Sequence, residues 1–400
     1  MSDRCLRIAA ALALAAAALL AAAPAWTQED DPELRQLLGA PQGAPAASTP
    51  RSSTTTGLSN AFNPAISVNG LILGAGSKGN STSFGLQEFE IQFSSDIDPY
   101  FRADLTFAIH QDFDVAGLAA HEHGGEEEEE IGGGIEVEQA LITSTSLPHV
   151  TLHFGKFLLP FGKHNILHTH AFPFITKPAV ISENFGEEGL NEMAFDAVPL
   201  LPLPFFSELN LVAFQGDNEV QYQFGEGAAP NKAKYLVHSK NLVEITDDST
   251  VELGLSYADG TNNAGDGKVT TITGADLTFK RRPAIGRGLG SLVVQAEYIA
   301  STRQAEQDLE SSGYYASAQW RVFGYYWAQA RYGEVTIDEG GDGAIEEEET
   351  KHTDFLIGWV PTEFSALRLQ YSLFEIGGEK VNAWYLQYNF AIGSHPAHSY

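Results

Sequence analysis

Apolar residues recur at every second position along most of this chain. In "FRADLTFAIH" Phe101, Ala103, Leu105, Phe107 and Ile109 share one face, and Arg102, Asp104, Thr106 and His110 share the other. In "ALRLQYSLF" Leu367, Leu369, Tyr371 and Leu373 oppose Arg368, Gln370 and Ser372. "GYYASAQWR" and "AWYLQYNFAI" repeat the pattern, with aromatic residues at the ends of the apolar face. A period of two predicts strands with one apolar and one polar face. Sixteen such segments fit between Ala65 and Ile392, with fourteen and eighteen as the bounds.

The connections separate two architectures that share this period. After even-numbered segments they are mostly short or Pro-marked ("SSDIDP", "STSLPH", "VPTEF"). After odd-numbered segments most are longer and rich in Gly and acid ("DVAGLAAHEHGGEEEEEIGG", "ADGTNNAGDG", "DEGGDGAIEEEET"). A soluble sandwich has no reason to sort its loops by parity, whereas a transmembrane barrel needs short turns on one side and admits long loops on the other. The expected fold is therefore all-β: a transmembrane antiparallel barrel.

The N-terminus supports export. Arg4 and Arg7 precede an apolar run from Ile8 to Ala23, and Ala23-Pro24-Ala25 supplies small residues for cleavage, so residues 1–25 read as a signal peptide. No later stretch is long and apolar enough for a membrane helix. Lipid cannot hydrogen-bond a backbone, so an exported chain of strands spans a bilayer only as a closed barrel. Residues 26–61, rich in Pro, Ala, Ser and Thr, read as a flexible periplasmic segment, and 62–400 as the barrel. An even strand count puts both termini in the periplasm. Cys5, the sole cysteine, lies in the signal, which excludes disulfides and thiolate metal sites from the mature protein.

Charge narrows the function. With 52 acidic residues against 23 Lys and Arg, the net charge is −29, which repels nucleic acid and attracts cations. No Gly-x-Ser-x-Gly, His-Glu-x-x-His, phosphate-binding Gly loop or cysteine nucleophile occurs in the mature chain. The expectation is a channel and not an enzyme, set in outer-membrane lipid and lipopolysaccharide. It would pass small hydrophilic solutes by diffusion, with cations favoured.

The strand-turn segment "GKFLLPFGKHN" (Gly155 to Asn165) resembles a motif of the phosphate-selective porins O and P. Most of residues 60–400 is also similar to proteins labelled zinc-regulated outer-membrane receptors, through "IQFSSDIDPYFRADLTFAIH", "FGEEGLNE" and "GSHPAHSY". That second likeness is the closer one. These resemblances imply an outer-membrane barrel with a long third external loop, a possible homotrimer and a link to zinc supply. The acidic balance departs from the basic pore lining that the phosphate-selective family implies, and residues 26–61 are too short for the plug of an energised receptor.

The loop from Leu158 to Leu190 is too apolar to stand free in water. Folded into the lumen, it would place Lys156, Lys163, His164, His168, His170 and Lys177 near a constriction, with Glu183, Glu187 and Glu188 on the exit limb. The alternative is a loop that seals a non-conducting barrel. Glu88, Glu90, Arg102, Asp104, His153, Arg321, Arg331 and Arg368 are expected to face the lumen and tune selectivity. His164, His168 and His170, and separately His121 and His123 ahead of Glu126 to Glu130, are candidate ligands for Zn²⁺ or another divalent cation. His168 and His170 point the same way if the segment is extended, whereas His164 and His168 share a face if it is helical.

Overall fold

The computed structural model describes residues 64–77, 82–110, 135–216, 224–225, 232, 234–283, 290–339 and 346–393. The signal and linker segments, His121, His123, His395 and His398 lie outside the described residues. In chain order the strands are β1 (Ala65–Ser77), β2 (Ser83–Asp96), β3 (Phe101–His110), β4 (Ile135–Ser144), β5 (Val150–Leu158), β6 (Asn191–Pro199), β7 (Phe206–Phe214) and β8 (Lys234–Thr246). They continue as β9 (Ser249–Thr261), β10 (Val269–Arg281), β11 (Leu292–Arg303), β12 (Leu309–Phe323), β13 (Tyr326–Glu339), β14 (Glu346–Thr362), β15 (Ser365–Ile376) and β16 (Glu379–Gly393). Each pairs antiparallel with its sequence neighbours. The cylinder closes where β1 meets β16, from Ser67 opposite Gly393 to Ser77 opposite Ala383.

Burial is inverted relative to a water-soluble fold. In β15 the apolar Leu367, Leu369, Tyr371 and Leu373 are 40–51% exposed, while Arg368, Gln370 and Ser372 are 7%, 0% and 0%. Strands β14 and β16 do the same, with Phe355, Ile357 and Trp359, and Trp384, Leu386 and Tyr388, turned outward. An apolar exterior of this extent has lipid as its solvent, and closure leaves no strand edge unpaired within it.

The observed strand set matches the sixteen expected segments, with two kinds of difference. Strand β14 reaches back to Glu346, so Glu346 to Thr350 continue the ladder with β13 and are not loop. Loop lengths also depart from strict parity. Residues 282–291, after β10, form a longer connection than expected, whereas β15 and β16 are joined at Gly377 and Gly378 alone. Both of those glycines have positive φ (55° and 87°), as the tight primed hairpin turn requires.

Candidate functional site: the segment folded inside the barrel

Between β5 and β6 the chain turns into the cylinder. Its two limbs are tied at the base. The Leu159 amide donates to the Leu190 carbonyl (2.8 Å), and the Asn165 side chain donates to Leu159 O while accepting from the Leu190 amide. Inside lie a 3-10 turn, Thr169–Ala171, and one short helix, α1 (Ala179–Phe185), which begins after Pro178 and ends at Gly186, whose amide donates to Ser182 O. Proline has no amide to leave orphaned at a helix start, and Gly186 tolerates its φ of 69°.

The helix packs against β11 to β14. Leu159, Phe161, Val180, Ile181 and Phe185 form one buried core with inward residues of the wall, among them Val212, Leu236, Ile272, Ile299 and Val335. Each such side chain contributes about 1.5–3 kcal/mol by leaving water, which explains why so apolar a loop is seated and not free. Glycine makes room for it: a Cβ on Gly274 would lie 2.6 Å from the Phe161 ring.

Polar anchors reach the segment from almost every side. Glu297 on β11 accepts the amides of Lys163 (3.3 Å) and His164 (3.2 Å) and the Tyr315 hydroxyl (3.0 Å). The Lys163 ammonium meets Glu252 on β9 at 2.5 Å. Arg331 on β13 donates to Asp354 (2.7 Å) and to both Thr176 O and Thr176 Oγ1 (2.8 Å each), and its guanidinium lies over Phe174. Arg368 donates to Phe172 O (2.5 Å), Gln370 accepts the Ile175 amide (2.7 Å), and Asn389 on β16 donates to His170 O (2.9 Å). The segment therefore crosses the lumen and is held by opposite walls.

The second anchor region is a buried knot of carboxylates and imidazoles. His170 Nδ1 lies 3.0 Å from Glu90 Oε2. His168 Nδ1 lies 3.0 Å from Glu138 Oε1 and 3.6 Å from the same Glu90 oxygen, and its Nε2 faces Gln139 Oε1 at 3.2 Å. The two rings stack at 5.9 Å. Burial disfavours the His168 cation, but Glu138, Glu90 and Glu88 outweigh it and hold the imidazole up at about 9. His164 is different. Its ring packs against Phe172 and Tyr315, and burial, reinforced by Arg331 and Lys177, pushes it well below 6.5. Burial also lowers Lys177, whose amine donates to the Glu187 carbonyl and sits 5.5 Å over the Phe172 ring.

The expected constriction residues fall into three groups. Lys163, His164, His168, His170 and Lys177 are on the in-folded segment. Lys156 is on β5 and pairs with Glu136 (3.2 Å). Glu183 is half-buried in α1, and Glu187 and Glu188 are exposed. Of the wall residues, Glu88, Glu90, Arg331 and Arg368 are buried inward, His153 meets Asp196 (3.1 Å) and Arg102 meets Asp104 (3.1 Å). Arg321 shares the parity of the buried Tyr315 and Ser317, but it sits at the irregularity that ends β12 and donates to the Gly324 carbonyl in the turn. The grouping of three histidines needs revision: the 3-10 turn brings His168 and His170 together, and His164 stands apart among aromatic rings. Sequence reasoning missed Glu138, Glu252, Glu297, Asp354 and Asn165. The inward parity of the strands that carry the four acids was readable, but which of them meet the segment, and the tie that Asn165 makes within it, were not.

The family model for phosphate-selective porins O and P matches residues 61–347. The chain belongs to that family. Among curated proteins, an uncharacterized protein of Aquifex aeolicus (strain VF5) is 25% identical over 355 residues, covering 79% of this porin and 70% of the relative. Among solved structures, the trimer form of OmpT, an outer membrane protein of Vibrio cholerae, superposes with a TM-score of 0.52 at 8% identity, covering 82% of this porin and 100% of that chain. An anion-selective porin from Comamonas acidovorans gives 0.53 at 11% identity, covering 82% and 100%. Salmonella typhi OmpF in complex with daunomycin gives 0.54 at 11% identity, covering 84% and 99%. These likenesses support an outer-membrane porin channel, and they do not support the zinc-regulated receptor label as the closer one.

Proposed function

We propose that this porin conducts small hydrophilic solutes by passive diffusion, favours cations, and uses residues 159–190 as its constriction. The observation that carries this reading is the seating of that segment across a lumen whose inner wall bears Glu88, Glu90, Glu138, Glu252 and Glu297 around it. An excess of carboxylates fixed in the wall of a narrow lumen makes its potential negative, which lowers the barrier for cations and raises it for anions. The short-turn rim is periplasmic in this reading, both termini lie there, residues 1–25 direct export, and the barrel associates as a homotrimer in lipid and lipopolysaccharide. No catalytic step is assigned.

Planar-bilayer recording of the refolded protein across a KCl gradient tests the proposal. Stepwise currents with a cation-directed reversal potential are expected, and no steps or an anion-directed potential overturns it. A second reading has its own support: the apolar core of the segment fills the lumen on the β7 to β13 side, as a seal would. Sugar permeation into liposomes separates the two, since a sealed barrel admits none.

A further inference from the structure

The knot around His168 and His170 holds more carboxylate than its imidazoles require. Glu88 and Glu90 on β2 are 1% and 2% exposed, and both Glu88 oxygens are buried without a hydrogen bond of good geometry, the nearest cationic group among the described residues being His110 Nδ1 at 3.5 Å. Glu138 on β4 adds a third acid. Crowding three carboxylates together, two of them cut off from water, is costly unless positive charge is shared among them.

The geometry points to a site for one first-row divalent metal ion held by Glu90, Glu138 and His168 with water as a fourth ligand, and with Glu88 and His170 adjoining Glu90. One ligand atom each from Glu90, Glu138 and His168 lie within 4.8 Å of one another, as do those from Glu88, Glu90 and His170, so Glu90 belongs to both sets. A tetrahedron with bonds of about 2.05 Å has ligand-to-ligand edges of about 3.3 Å. The two edges that His168 Nδ1 makes, 3.0 Å to Glu138 and 3.6 Å to Glu90, bracket that value. The tautomer also fits. His168 Nε2 faces the Gln139 amide oxygen and keeps its proton there, so Nδ1, which faces Glu138 and Glu90, is the nitrogen that would exchange its proton for the metal. Mixed imidazole and carboxylate donors suit Zn²⁺ or Co²⁺ better than Ca²⁺ or Mg²⁺. Such an ion would staple the in-folded segment to β2 and β4 on the wall opposite the α1 contacts. This inference goes beyond the diffusion reading and stands apart from it.

Zn²⁺ and Co²⁺ are the probes, with the refolded full chain stripped by chelator and checked for heat-modifiable gel migration. The wild type should retain one equivalent of Zn²⁺ after desalting, and should bind Co²⁺ with visible d–d bands of the intensity expected for four-coordinate geometry. Glu90→Gln and His168→Ala should weaken binding at least tenfold, and Glu88→Gln, which keeps shape and removes charge, should weaken it and abolish any Zn²⁺-dependent rise in Tm. A His121→Ala/His123→Ala variant should bind as the wild type does. Equal binding by the wild type and Glu90→Gln, or loss confined to the His121/His123 variant, overturns the site. A barrel that conducts cations yet binds no metal overturns the site alone and leaves the pore reading intact.

Discussion

Arg331 connects the barrel wall to the in-folded segment, and removing it should release the segment before it unfolds the barrel. Its Nε holds Asp354 at 2.7 Å with both groups shut off from water, and its two Nη groups hold Thr176. Breaking a buried pair by deleting one partner costs about 3–5 kcal/mol. Arg331→Met should fall at the low end, because Asp354 keeps the Ser372 hydroxyl (2.6 Å) and the Gln370 amide (3.3 Å) as donors. The share that acts on the segment alone comprises two charge-assisted hydrogen bonds, each about 1.5–3 kcal/mol, and the stacking over Phe174, about 0.5–2 kcal/mol. Even the low values imply about 3.5 kcal/mol, more than two decades in the ratio of docked to released segment. Amide exchange at Ile175 reports this directly, since its N–H is held by Gln370 Oε1. Exchange should accelerate by about two orders of magnitude in Arg331→Met, while strand amides of β15 and β16 stay protected. Adding Asp354→Asn should recover global stability and leave Ile175 fast. Unchanged exchange at Ile175 in a correctly folded variant would refute the assignment of Arg331 as the clamp.

Three further outcomes follow. Lys163→Gln leaves Glu252 without its ammonium partner, so the reversal potential should move toward cations; no shift, or an anion-directed one, counts against a selectivity role for the pair. Because His164 titrates well below 6.5 when folded and near 6.5 when unfolded, the unfolded chain binds the extra proton first; the contribution is full above pH 6.5 and declines as pH falls, by up to about 1.4 kcal/mol per unit. His164→Phe should flatten that limb of urea-unfolding midpoint against pH, and an unaltered limb contradicts the buried neutral imidazole. On the outer face near the middle of β15, Leu369→Arg should cost about 2–4 kcal/mol in bilayer refolding, whereas equal stability would mean that this face does not meet lipid.

The barrel was legible because lipid sharpens the period-two signal: residues such as Leu369 and Tyr371 must be apolar where a soluble strand would carry polar ones. The strand ends were less so. Glu346 to Thr350 have no outward apolar partner to mark them, and only the ladder with β13 shows that they are strand. The fate of residues 159–190 followed from their composition. Their partners did not, since contacts such as His164 with Glu297 join positions 133 apart, and no local pattern encodes such a pairing. The histidine spacing left two geometries open, and the 3-10 turn at Thr169–Ala171 decided between them.

The seating of the third loop has a consequence for how the molecule is made. Its attachments include Glu90 on β2 and Asn389 on β16, the two flanks of the seam. The β16 flank is not in place until the last strand has been made and has met the first. The loop thus behaves as a keystone, dropped into an arch whose final stones have only just arrived. A precursor lacking β16 would be left with two raw edges and an oily, unhoused tongue of sequence, the very features that periplasmic chaperones must shield until the ring is shut.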